Sequence, residues 1–116
     1  MTAREKIATW PSDRASRQTS RPVEVLAGTR VLSFDELERF QSVAFDCSGA
    51  ARSLDLPPEE QCAGAYLYVT NATNATHALT VRNDAAGTVV AIPAASPNRS
   101  ARLWCDGTTW RALLGA

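Results

Sequence analysis

The sequence predicts a small all-β domain, an antiparallel β-sandwich or jelly-roll-like fold of about seven strands, preceded by an extended N-terminal arm. Two observations predict this class. From residue 43 onward, short apolar runs recur about every 8–12 residues and are separated by turn-forming residues. No segment between these runs has a helical period, so the helical crossover that usually joins parallel strands is missing. We expect an arm over residues 1–30 and a β-domain over residues 31–116.

The beginning of the chain, residues 1–22, contains few large apolar side chains, chiefly Ile7 and Trp10. Such a segment buries too little apolar surface to offset the entropy of its own ordering. It is either a tail without a binding role or an arm that orders against a partner, with Trp10 as its anchor, because tryptophan is enriched at binding hot spots. The candidate partner-binding residues of the arm are one aromatic and four basic side chains: Arg4, Trp10, Arg14, Arg17 and Arg21.

A short helix is predicted over residues 34–41. Ser33 and Glu36 have the spacing of a capping box, in which the serine caps the helix and the glutamate reaches back to the cap. Phe34, Leu37 and Phe40 follow at near-helical spacing. A helix of two turns does not hold alone, so it must pack on the β-domain behind it.

Seven strands are predicted after the helix, each bounded by Gly, Pro, Asn, Asp or Ser. They are Val43–Cys47, Ala51–Leu56, Ala65–Thr70, Ala78–Asn83, Thr88–Ile92, Ala101–Cys105 and Trp110–Leu114. Three of the connecting segments match the N-glycosylation pattern, at Asn71-Ala-Thr73, Asn74-Ala-Thr76 and Asn98-Arg-Ser100. No signal-peptide core begins the chain, so these are interpreted as polar turns.

The last two strands form a hairpin with a candidate binding face. A two-residue Asp106-Gly107 turn pairs Cys105 with Thr108 and places Arg102 directly opposite Arg111. Alternation puts Arg102, Trp104 and Arg111 on the outward face, which has the composition of an interface hot spot. The alternative is that Trp104 packs under a loop or under the short helix.

Residues suited to catalysis or metal binding are sparse. The single histidine, His77, opens a strand without a nucleophile motif beside it, so the chain is not expected to be an enzyme. Cys47, Cys62 and Cys105 lack metal-ligand spacing, and no metal or cofactor is predicted. Cys47 and Cys62 either form a disulfide or stay free, and the odd number of cysteines favours free thiols.

The formal net charge of zero conceals a gradient along the chain. Residues 1–30 have a net charge of +3, residues 31–60 of −5 and residues 61–116 of +2. The balanced total gives no reason to expect binding to nucleic acid or to an anionic membrane. No apolar run approaches the roughly 20 residues that span a bilayer. Dense acids between residues 35 and 60 are interpreted as solvated surface charge.

Eight short segments between Val31 and Leu114 carry a resemblance to a known family. They are Leu32-Ser-Phe-Asp-Glu-Leu37, Val43-Ala-Phe-Asp46, Ser48-Gly49, Leu54-Asp-Leu-Pro57, Ala63-Gly64, Tyr66-Leu-Tyr-Val-Thr-Asn71, Leu79-Thr-Val-Arg-Asn83 and Leu103-Trp-Cys-Asp-Gly-Thr-Thr-Trp110. In this order they resemble a β-domain of tailed-phage virion proteins, chiefly head decoration, head-fibre and tail-fibre proteins. The stretch Glu59-Glu60-Gln61-Cys62 departs from that family in being more acidic than its usual small residues.

The resemblance implies a structural protein of the virion, usually assembled as a homotrimer. We expect a capsid decoration protein that is made in the host cytoplasm, binds the major capsid protein on the outside of the head and stabilises the shell. A fibre or baseplate component is the alternative within this class. A carbohydrate-binding β-sandwich module is an alternative of another class, motivated by Trp104 and Trp110 on one hairpin.

Overall fold

The chain passes repeatedly between two β-sheets that share one core. The structure, a computed structural model, describes residues 18–20, 22–73, 76–94 and 99–115. Its strands are β1 Gln18–Ser20, β2 Glu24–Val25, β3 Arg30–Val31, β4 Phe40–Asp46, β5 Arg52–Asp55, β6 Tyr66–Asn71, β7 Leu79–Arg82, β8 Thr88–Ile92, β9 Ser100–Cys105 and β10 Trp110–Gly115. Helix α1 spans Phe34–Arg39, and a 3₁₀ turn spans Glu59–Gln61.

The larger sheet has six strands in the order β1-β4-β6-β9-β10, with β2 also paired to β4. The smaller sheet has the order β3-β5-β7-β8. The prediction of an all-β domain is therefore confirmed, and the seven predicted strands correspond to β4 through β10 within a few residues at each end. Strands β1 and β3 were not predicted.

The expectation of wholly antiparallel pairing is wrong. Strand β4 is parallel to β1, β2 and β6, and β5 is parallel to β3 and β7. A parallel pair needs a long crossover connection, for which a helix is the usual solution. Here the connection from β4 to β6 contains β5 of the opposite sheet, and the connection from β5 to β7 contains β6. From β2 to β7, each strand is thus parallel to the strand two positions earlier, as in a short solenoid.

The C-terminal part of the domain closes this winding with antiparallel strands. Strand β8 pairs with β7, β9 pairs with β6, and β10 pairs with β9. Alternate residues of both sheets point inward, and Phe45, Leu67 and Leu103 of the larger sheet share a core with Leu54 and Leu79 of the smaller one. All five side chains are fully buried. The opposite residues of each strand form the outer faces.

The predicted helix is confirmed, but it is shorter than the sequence suggests. The Ser33 hydroxyl accepts from the Glu36 backbone N–H at 3.1 Å, and the Glu36 carboxylate accepts from the Ser33 N–H at 2.9 Å, which completes the capping box. The helix ends at Arg39, and Phe40 has extended backbone angles, φ −127° and ψ 136°. Residues 40 and 41 belong instead to β4, because pairing with the sheet competes successfully with a marginal last turn.

Strands β1 and β2 and the first residue of β3 lie within the segment predicted as the arm, residues 1–30. Strands β1 and β2 pair with the larger sheet, and β3 pairs with the smaller one. Arg30 holds this segment in place, because its guanidinium bonds the carboxylates of both Glu24 and Glu36. It therefore ties β2, β3 and α1 together, and the two carboxylates raise the pKa of Arg30 above its ordinary value.

Candidate functional site

The β9–β10 hairpin has a four-residue loop, Asp106–Thr109, and not the predicted two-residue turn. The Asp106 carboxylate accepts from the backbone N–H groups of Thr108 and Thr109 at 2.9 and 2.8 Å, and Gly107 has a φ of +93° that favours glycine. Trp110 is consequently the partner of Cys105, and the register is shifted by two residues from the prediction. A shift of two leaves each side chain on its predicted face.

The predicted juxtaposition of Arg102 and Arg111 is therefore wrong. Arg111 lies opposite Trp104, and Arg102 lies opposite Leu113. Arg111 forms an ion pair with Asp106 at 3.3 Å. The pKa of Asp106 is lowered, first by the backbone N–H groups of Thr108 and Thr109 and then by Arg111. The two arginines thus have different roles. Arg111 is paired with Asp106 within the hairpin, and Arg102 lies on the outer face of the larger sheet.

The candidate site is the outer face of the larger sheet, where β6 and β9 are neighbours. We call Tyr66, Tyr68, Arg102 and Trp104 the aromatic platform. Tyr66 is the cross-strand partner of Trp104, and Tyr68 is the partner of Arg102. These four side chains line a surface depression of about 360 Å³. Trp104 is 36% exposed and Tyr68 is 43% exposed, so the alternative that Trp104 packs under the helix or a loop is wrong.

A second depression, the polar groove, continues from the aromatic platform. It has a volume of about 680 Å³ and shares Tyr68 and Arg102 with the platform. Its remaining walls combine polar residues with apolar ones, among them the exposed Leu113 and Leu114: Gln41, Ser42, Thr70, Ser100, Ala101, Leu113, Leu114 and Gly115. The Thr70 and Ser100 hydroxyls bond each other at 3.0 Å across the β6–β9 pair. The platform and the groove together form one continuous surface.

Sequence reasoning found Arg102, Trp104 and Arg111 on the outer face but missed Tyr66 and Tyr68. The alternation within β6 already placed both tyrosines on the side opposite the buried Leu67 and Val69. The sequence did not show that β6 and β9 are neighbours, because two strands of the other sheet separate them along the chain. The predicted arm residues Arg4, Trp10, Arg14, Arg17 and Arg21 lie outside the described residues.

The first of the three glycosylation-like segments is a buried structural corner. Asn71 is fully buried, and its side-chain amide donates to the carbonyls of His77 and Ile92 at 3.0 and 2.9 Å. Its side-chain oxygen accepts from the Thr73 N–H at 3.1 Å. The Thr73 hydroxyl in turn accepts from the Cys47 N–H at 2.8 Å. Asn71 is thus more than the polar turn residue that the sequence suggested, since it joins both sheets at one end of the domain.

The three cysteines are buried and carry free thiols. Burial raises the pKa of Cys62 to about 12, with a further contribution from the neighbouring Cys105. Burial likewise raises the pKa of Cys105 above its ordinary value. A thiol with a raised pKa stays protonated and is a poor nucleophile, so these side chains act as small apolar core residues.

The raised pKa of Cys62 predicts a loss of stability in alkaline solution. The unfolded chain releases the thiol proton near its ordinary pKa of 9, whereas the folded chain retains it up to about 12. Stability from this group is therefore fully present below pH 9 and falls by at most about 1.4 kcal/mol per pH unit above it. Urea unfolding of the wild type and of Cys62→Ala, compared at each pH from 8 to about 11, measures the difference. Identical pH slopes in the two proteins would contradict the prediction.

Within the described part of the chain, no group of three or more His, Cys, Asp or Glu residues is placed to hold a metal ion. In the same residues, no helix is long and apolar enough to span a membrane. No family of known proteins, no curated protein and no solved structure matches this chain.

Proposed function

We propose that this chain is a structural protein of a tailed-phage virion, a decoration protein that binds the major capsid protein on the outer surface of the head and stabilises the shell. The observation that carries the proposal is that the segments with the family resemblance meet at one end of the domain. Trp110 Nε1 donates to the Pro57 carbonyl at 3.1 Å, and the Gly64 N–H donates to the Cys105 carbonyl at 2.8 Å. These segments are distant in sequence but in contact in the domain. Their contacts support the interpretation that the resembling segments belong to one structural unit.

The position of β1 supports attachment through the basic N-terminal segment. Residues 1–17 precede β1, whose pairing with β4 anchors the chain to the larger sheet by backbone hydrogen bonds. A force that pulls on residues 1–17 therefore acts on the backbone hydrogen bonds of the larger sheet and not on a single side chain. Binding that is specific for the assembled shell stabilises it by linkage, without any chemical step. A homotrimer would present three such segments and strengthen attachment through multivalency.

Deletion of residues 2–17 tests the role of this segment. The deletion stops before Gln18 because residues 18–20 belong to the larger sheet. We expect a folded protein whose affinity for capsids of the encoding phage falls by at least about tenfold. Co-sedimentation with purified capsids measures binding, and circular dichroism confirms the fold. Multi-angle light scattering on the wild type tests the trimer.

A second variant, in which Gly and Ser replace residues 2–17 at equal length, separates side-chain contacts from linker length. Loss of binding in both variants supports recognition by the basic and aromatic side chains. Full capsid binding by both variants would overturn the attachment role. Labelled microscopy of virions distinguishes the head from the tail, and a tail position would favour the fibre or baseplate alternative.

A further inference from the structure

We propose that the aromatic platform and the polar groove form a binding site for an acidic saccharide. The proposal goes beyond attachment to a capsid and concerns a different surface of the domain. It rests on three features of the outer face of the larger sheet: the exposed rings of Tyr68 and Trp104, the polar groups that line part of the groove, and one cation, Arg102, with no ion pair or hydrogen bond to another described residue.

The aromatic rings provide a surface for stacking. Tyr66 and Trp104 are cross-strand neighbours, and Tyr68 lies two residues further along the same face of β6. Tyr and Trp offer large contact areas with few rotatable bonds, so little conformational entropy is lost when a ligand packs on them. The C–H faces of a pyranose ring are apolar and flat enough to contact such rings, whereas its hydroxyl groups point outward from the edge.

The polar groove provides partners for those hydroxyl groups. Thr70 and Ser100 bond each other at 3.0 Å, and each hydroxyl retains further capacity to accept or donate. Ser42 and Gln41 line the same depression, next to Thr70 and Tyr68. Hydroxyl and amide groups both donate and accept hydrogen bonds, which matches the mixed character of sugar hydroxyls. A ligand stacked on the platform would therefore extend into a region of matching chemistry.

The positive charge of Arg102 favours an acidic ligand. Arg30, Arg82 and Arg111 form ion pairs with carboxylates of this chain. No ion pair or hydrogen bond to the Arg102 side chain is found within the described residues, although it borders both depressions. A guanidinium binds a carboxylate through two parallel hydrogen bonds. A uronic or sialic acid residue supplies that carboxylate on the same molecule that supplies the stacking face.

Two other ligand classes fit this surface less well. Single-stranded nucleic acid stacks on aromatic rings but needs several cations along its backbone. Among the described residues that line the two depressions, Arg102 is the one cation, and the nearby Arg111 is paired with Asp106. A protein partner typically covers about 800 Å² on each side and favours an apolar centre, whereas here the exposed Leu113 and Leu114 share the groove with Ser42, Thr70 and Ser100. Depressions of about 360 and 680 Å³ match the usual size of a small-ligand site.

Titration calorimetry with the full-length protein tests the proposal. The acidic probes are oligogalacturonate, hyaluronate oligosaccharides and oligosialic acid, the neutral probes are cello-oligosaccharides, and a single-stranded oligothymidylate represents nucleic acid. We expect binding of at least one acidic probe, weakened by added salt, and at least about tenfold weaker binding of the neutral sugars. Trp104→Ala and Arg102→Gln should each weaken the acidic complex by about tenfold or more, whereas Trp104→Phe and Arg102→Lys should retain part of the affinity.

Val31→Ala is the matched control, because Val31 is exposed on the smaller sheet, away from the platform. It should bind like the wild type, and thermal melts should confirm that the platform variants stay folded. Failure of all acidic probes at millimolar concentration would overturn the proposal, as would equal binding of the neutral sugars or preference for the oligothymidylate. Loss of capsid binding in Trp104→Ala, with no saccharide bound by the wild type, would assign the surface to a protein partner instead. The capsid-binding result for the 2–17 deletion is independent of all these outcomes.

Discussion

Replacing Asn71 by alanine is expected to lower the free energy of unfolding by about 4 kcal/mol, because several buried backbone groups lose their partners at once. The carbonyls of His77 and Ile92 lose a donor, and the Thr73 N–H loses its acceptor. Each unsatisfied buried group costs about 1–3 kcal/mol. Since domains of this size are stable by only about 5–15 kcal/mol, the variant should be close to its unfolding threshold. Urea unfolding followed by circular dichroism measures the effect.

A second substitution and a matched control sharpen this test. Asn71→Asp keeps the volume but offers a charged acceptor to two carbonyl groups, so it should destabilise the protein at least as much as alanine does. Asn83→Ala removes an asparagine whose side chain accepts from the N–H groups of Ala85 and Gly87 in an exposed turn. Water replaces those bonds, and the loss should be about 1 kcal/mol or less. Equal losses for Asn71→Ala and Asn83→Ala would show that the buried corner has no special role.

Truncation of Trp110 to alanine is expected to cost about 3–5 kcal/mol, the usual range for a buried tryptophan. Trp110 is only 4% exposed, and its indole N–H donates to the Pro57 carbonyl at 3.1 Å. The substitution removes both the packing of the ring against the core and this hydrogen bond. Guanidinium unfolding of the wild type and the variant gives the difference in free energy.

Trp110→Phe separates the two contributions, because phenylalanine keeps most of the apolar ring and lacks the N–H donor. It should cost about 1–2 kcal/mol, mainly from the unsatisfied Pro57 carbonyl. Trp104→Ala on the outer face is the control for removing an indole as such, and it should cost less than Trp110→Ala because Trp104 is 36% exposed and Trp110 only 4%. A smaller loss for Trp110→Ala than for Trp104→Ala would contradict the structure.

Asn71 and Trp110 act at opposite ends of the paired strands β6 and β9. Asn71 closes the end at which β6 finishes and β9 begins, where the Asn71 N–H donates to the Arg99 carbonyl at 2.8 Å. Trp110 closes the other end, where the Gly64 N–H and the Cys105 carbonyl bond at 2.8 Å. The platform lies on the outer face between these two ends. Its side chains are therefore carried by backbone that is held at both ends, which favours a preorganised binding surface.

Much of the local structure could be predicted because its signals are local. The capping pair of Ser33 and Glu36 determines where α1 begins, and the alternation in β9 determines that Trp104 points outward while Leu103 and Cys105 point inward. Two members of the candidate site, Arg102 and Trp104, followed from this alternation. Tyr66 and Tyr68 completed the platform only once β6 was known to lie beside β9.

The sequence by itself determined the approximate positions of strands β4 to β10, the face that their side chains occupy and where the helix starts. These features depend on a period of two residues and on hydrogen bonds over three or four positions. The tertiary structure decided which strands are neighbours, which pairs are parallel and how the last hairpin is registered. These depend on contacts between distant segments: β5 serves as the crossover from β4 to β6, and the Asp106 carboxylate selects a four-residue loop. The inward–outward alternation of a strand does not depend on which strand lies beside it, and it is unchanged when the register shifts by two residues. Alternation therefore predicts neither the neighbours of a strand nor its register.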